Sequence, residues 1–237
     1  SINAPNNNVL QRAYKERKSG RATPILIVVL HSQGSSLCGT YGDQPPISHL
    51  EDSDQVERLC ASALSKPDKN AAIRFLNDAI PTLTTNLPGI NNEGLLSIQE
   101  LQFGTKHRDD WGNAIAKSNN VLRYKSESLI NSLGFQSTKL DNLTDLLTKD
   151  QEKSAIAILL NESEIPDIAT RRFNNISPIN YALTKADEQN LPWVLMIQGD
   201  RLRLYNSKNV GVGKKGRKET FIECQLSLIS NKDSGLI

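Results

Sequence analysis

The chain has 237 residues, of which 38% are hydrophobic and 23% charged, and its net charge is +2. That length can bury a substantial core, and that balance excludes both a disordered polyelectrolyte and a nucleic-acid binder acting through bulk charge. No apolar run reaches the span of a membrane helix and the opening SINAPNNN lacks an apolar signal core, so the expectation is a cytoplasmic protein with no membrane partner.

In chain order, QRAYKERKSGR predicts a helix anchored by Leu10 and Tyr14, with Arg12, Lys15, Arg17, Lys18 and Arg21 turned to solvent. Residues 24–30 (PILIVVL) read as a buried strand, Gly34-Ser35-Ser36 as a turn, and residues 37–41 as the returning strand of an opening hairpin. A helix capped by Ser53 or Asp54 carries Val56, Leu59 and Ala63; a second starts at Asp68 and is expected to close at Pro81. A further helix is expected over 93–103. Two more patterns lie between Asp109 and Leu133, where Gly134 ends the last. Strands are expected at 143–148, 154–160, 193–197, 202–205 and 221–228, with a helix from Ser177 crossing between two of them. Gly199-Asp200 supplies a tight turn, and Trp111 and Trp193 sit on apolar patterns, Trp193 deep in the core. The fold class is α/β: a mixed sheet with flanking helices, preceded by a β-hairpin and helices. Residues 1–87 form the hairpin-plus-helices region and residues 88–237 the α/β region.

The stretch SPINYALTKADEQNLPWVLMIQGDRLRLY runs as a small helix, Pro-Trp, an apolar strand, a Gly turn and Arg-Leu-Tyr. This order resembles the N-terminal endonuclease-like region of large fused restriction–modification and phage-defence adenine-specific DNA methyltransferases. The segment Asn92-Glu93-Gly94-Leu95-Leu96-Ser97 is similar to a helix start common in that group. The resemblance covers about residues 88–229. It implies a nuclease-like core of the PD-(D/E)xK type, DNA as partner, and a downstream methyltransferase domain or defence-system subunits. The methylase motif Asn-Pro-Pro-Tyr is absent from the chain, which on the family's pattern assigns methyl transfer elsewhere.

PD-(D/E)xK enzymes hold a divalent cation between an acidic residue on one strand and a Glu-x-Lys on the next, often with a helix Glu, because the metal must polarise a phosphate and a water together. The resemblance places those positions on the strands just before the Pro-Trp strand. There the chain reads SAIAILLNESE, offering Glu162 and Glu164 as candidate carboxylates and no lysine where the motif wants one; Glu93 is the candidate helix carboxylate. The site therefore reads as degenerate, with no metal and no cofactor. Mg²⁺ enters only if the chain is instead a metal-dependent endonuclease, and a protein-interaction scaffold is the third alternative.

The nucleic-acid contacts expected are Arg12, Lys15, Arg17, Lys18 and Arg21 in the first helix, and Lys214, Lys215, Arg217 and Lys218 in the Gly-rich VGVGKKGRKET. The latter could pair backbone amides with cationic side chains at a phosphate, but it lacks the P-loop order. Cys38, Cys60 and Cys224 form no metal-ligand spacing and read as buried thiols. His31 could face Ser35 or Ser36, yet no acidic residue has a defined place beside them.

Overall fold

The computed structural model describes residues 3–21, 23–40, 45–85, 87–208 and 216–237. The chain divides into two units, Ser1–Pro88 and Gly89–Ile237.

The first unit runs α1 (Asn7–Lys18), β1 (Ile25–His31), β2 (Gly34–Thr40), β3 (Ile47–Leu50), α2 (Ser53–Leu64) and α3 (Lys69–Leu83). Its sheet has the order β1-β2-β3, antiparallel throughout. Successive strand side chains point to opposite faces. One face meets α1, whose Leu10 and Tyr14 pack on Cys38, Ile25, Ile27, Val29 and Ile47. Leu37 and Leu50 point the other way, where α2 and α3 lie against the sheet. Three expectations need correction. The hairpin turn is Ser32-Gln33, because Gly34 already pairs with His31. Asp52, not Ser53 or Asp54, caps α2, its side chain accepting from the amide of Asp54. Pro81 lies inside α3, which continues to Leu83. Asp68 caps α3 as expected, accepting from the amides of Asn70 and Ala71.

The second unit carries β4 (Ile90–Asn92), α4 (Trp111–Ser118), α5 (Ser126–Ser132), β5 (Gln136–Lys139), β6 (Thr144–Lys149), β7 (Glu152–Leu159), α6 (Pro178–Glu188), β8 (Trp193–Gln198), β9 (Arg201–Asn206) and β10 (Phe221–Gln225). They build a mixed sheet of seven strands in the order β4-β10-β9-β8-β7-β6-β5. Only β7 and β8 run parallel, joined by α6, since a parallel pair needs a crossover connection. Ser177 caps α6 and Pro178 starts it, while Asn190 (φ 54°) ends the chain's helical path in the left-handed region. Gly199 (φ 61°) makes the turn between β8 and β9.

Ile156, Ile158, Val194, Met196 and Tyr205 face α6, where Ile179, Ala182, Leu183 and Ala186 complete the main core with Phe173. The alternate residues line the other face. Trp193 belongs to that second set and is half-buried, not deep in the core as its apolar run suggested. Residues 93–97 are irregular, and the helical segment behind them begins only after Ser97 and tightens into a π-helical turn at Glu100–Gly104. Residues 226–228 form a 3-10 turn rather than extending β10.

Candidate functional site

Six short links lock the corner that follows β7. Leu160 donates its amide to the Ile197 carbonyl at 2.8 Å, keeping β7 and β8 in register to the end. Beyond it the chain turns back on itself. The Asn161 amide donates to the Glu164 carboxylate at 2.7 Å, and Arg172 donates to the same carboxylate at 2.6 Å and to the Leu159 carbonyl at 3.0 Å. Gln198 spans the gap from β8, donating to the Asn161 and Glu164 carbonyls at 2.6 and 2.8 Å. The Glu164 side chain is only 9% exposed and its charge is met by Arg172, itself stacked 4.9 Å from the centre of the Phe173 ring. A carboxylate so engaged holds a loop, and its lone pairs are directed at protein donors rather than at an open cation position. Glu162 is half-buried beside Gly199, where a Cβ would come within 2.5 Å of its Oε1. Glu93 follows β4 and donates its amide to the Phe221 carbonyl, so it stands at a strand end and not at a helix N-terminus.

Sequence reasoning passed over an acidic residue buried on β6. Asp145, on β6, is 2% exposed and pairs in register with Lys139 on β5, whose ammonium lies 2.8 and 3.1 Å from the two carboxylate oxygens. Across the other edge of β6 it sits opposite Ala157. By strand alternation the residues of β7 that share its face are Ala155, Ala157 and Leu159. The signal was a single Asp at the start of an alternating run, in a strand whose pairing partners were unassigned. Four residues earlier Asp141 caps the turn into β6, accepting from the amides of Leu143 and Thr144 at 2.8 Å and from the Tyr181 hydroxyl at 2.9 Å. Burial pushes its carboxyl up, but these hydrogen bonds outweigh burial and hold it below the usual carboxylate range. Among the described residues no group of three or more His, Cys, Asp or Glu could hold a metal ion.

The two basic clusters differ in kind. On α1, Arg12 is engaged by Glu16 one turn away at 2.9 Å, and Lys18 folds over the Tyr14 ring at 5.7 Å. Lys15, Arg17 and Arg21 are exposed, and Lys15, Arg17 and Lys18 fall in the last turn, where cations also favour the helix dipole. In the second cluster Lys214 and Lys215 lie outside the described residues. Arg217 is committed to the fold, donating to Asp187 and to the Ser207 carbonyl, each at 2.8 Å. That hydrogen bond holds Asp187 below its usual range. Lys218 is exposed.

His31 does meet Ser36, within a longer chain of groups on the α1 face of the first sheet. The Gln33 amide donates to His31 Nδ1, which leaves His31 Nε2 as donor to Ser36 Oγ at 3.0 Å. Ser36 is then the donor to His49 Nδ1 at 2.8 Å, and His49 Nε2 donates to Asn7 Oδ1 at 3.1 Å. The order Ser–His–Asn mimics a nucleophilic triad, but Ser36 is fully buried and its oxygen already accepts from His31. What the chain does is tie the first residue of α1 to β3. Cys224 is also inert: burial pushes its thiol up to about 12.

The described residues include no helix long and apolar enough to cross a membrane. Compared with protein-family models, with curated proteins and with solved structures, the chain matches none.

Proposed function

We propose that this chain is a DNA-engaging or regulatory region of a restriction–modification or phage-defence DNA methyltransferase protein, with a nuclease-like sheet that has lost its catalytic set. The observation that carries this reading is Asp145. It stands on the strand before the β7–α6–β8 unit, where a PD-(D/E)xK site needs its first acidic residue. The face of β7 that should answer it offers Ala155, Ala157 and Leu159 in place of Glu-x-Lys. Asp145 is neutralised by Lys139, and Glu164 by Arg172. Divalent-metal hydrolysis needs several oxygen ligands open to one cation, and these carboxylates are spent on the protein. Engagement of DNA then rests on exposed cations, chiefly Lys15, Arg17, Arg21 and Lys218, together with Lys214 and Lys215.

Fluorescence anisotropy of a labelled duplex across a salt series tests it. Each phosphate neutralised changes the slope of log affinity against log salt by about 0.9. The variant Lys214→Ala/Lys215→Ala/Lys218→Ala is expected to bind more weakly and with a slope shallower by up to about 2.7. Arg217 is left in place because its removal would break contacts within the fold. Superimposable curves would remove Lys214, Lys215 and Lys218 from the interface, and failure of the wild type to bind the duplex at low salt would remove the DNA reading.

A further inference from the structure

The face of the second sheet turned away from α6 holds an apolar cavity of about 340 Å³. Its floor is built from Leu147, Ala155, Leu195, Leu204 and Ile222, one residue from each of β6 to β10. Phe135, just beyond α5, and Leu236, in the last 3-10 segment, form part of its walls. Ser154 and Cys224 are the only side chains in the lining with a hydroxyl or thiol, and no Lys, Arg, His, Asp or Glu is among them. Ser154 turns its hydroxyl to the Glu152 carbonyl, and Cys224 stays protonated. The cavity is partly open to solvent, so its apolar lining is left against water unless something covers it. An apolar void without polar partners also holds water poorly.

Its shape selects the occupant. Five adjacent strands about 4.8 Å apart make a floor roughly 19 Å long. A trough that crosses all five strands with an apolar lining suits an extended hydrocarbon chain lying along it. At the ~30 Å³ of a water-sized group, the volume corresponds to about eleven methylenes. We propose that this cavity is a binding site for a single medium-length acyl chain of about ten to twelve carbons, whose polar end remains at the mouth. The site is independent of the DNA reading.

The test uses the whole chain and a dansyl-labelled undecanoic acid, whose fluorescence rises in an apolar site. Saturable enhancement is expected, with displacement by dodecanoic acid. Dodecanol is expected to compete within a few-fold of the acid, since no cation lines the cavity. Octanoic acid should compete at least tenfold more weakly, because every buried methylene adds to binding. Ala155→Phe fills the floor and is expected to abolish enhancement while the melting temperature holds or rises; Leu204→Phe serves if that variant does not fold. Enhancement that never saturates, or that survives in both filled variants, would overturn the site. Cosedimentation with phosphatidylcholine vesicles in place of free-acid binding would overturn the single-chain reading in favour of a bilayer surface. A dimer by light scattering that dissociates in Ala155→Phe, with no dye bound by the wild type, would assign the cavity to a second copy of the chain.

Discussion

Asp141 shows how one carboxylate can organise a strand entry. It terminates the β5–β6 turn by accepting two backbone amides, and reaches α6 through Tyr181. Its carboxyl is held below its ordinary value in the fold, so the stabilisation it gives is fully present above the unfolded-state value of about 3.9 and is lost as pH falls through the lower, folded-state value. Asp141→Asn keeps the shape but not the charge. The variant is expected to melt lower than wild type at pH 7 and to converge on it as pH drops below about 4, in thermal melts followed by circular dichroism. A constant gap down to pH 2 would mean that the charge contributes nothing. Asp141, Asp145 and Glu164 all looked alike in the sequence, as isolated acids near strand ends. What separates them is the partner, and Lys139, Tyr181 and Arg172 reach them through strand register and loop closure that spacing does not encode.

At the scale of elements, the segments that read clearly were those with strong periodicity and a local stop signal. The α6 helix, the buried run of β8 and the Gly199 turn were legible because Ser177, Pro178, Asn190 and Gly199 each do a local job. The strands β3, β4 and β5 were not, since they span only four, three and four residues. All four residues of β5 are exposed, so its strand state comes from pairing with β6 and not from its own pattern. The stability of the α6 unit follows the same division. Ser177→Ala removes a cap bond to the Asn180 amide and is expected to cost about 1 kcal/mol, whereas Ile158→Ala, a fully buried contact beneath α6, should cost about 2–5 kcal/mol. Urea titrations of both variants measure the ratio. Equal losses would mean that the cap and not the core sets the position of α6.

For the whole molecule, the chain closes its larger sheet by a contact far apart in sequence: β4, at the start of the second unit, pairs with β10 near its end. Such closure places Cys224 and Ile222 on an interior face whose existence no local pattern announces, and the same is true of the sheet-wide cavity. The candidate catalytic set was legible only as an absence, because a missing lysine can be read from the sequence while the neutralised partners cannot. That absence yields the sharpest prediction. A metal-dependent nuclease needs the acid of β6 and two groups of β7 turned to one cation, and here the β7 residues on that face are Ala155, Ala157 and Leu159. Purified protein incubated with supercoiled plasmid and Mg²⁺ or Mn²⁺ is therefore expected to leave it intact, as are the variants Asp145→Asn and Glu162→Ala. Nicking by the wild type that disappears in Asp145→Asn would show that Lys139 releases its partner to a metal, and loss in Glu162→Ala would place a ligand at the corner beside Gly199. Either result would make the chain an endonuclease and overturn the reading of a spent site.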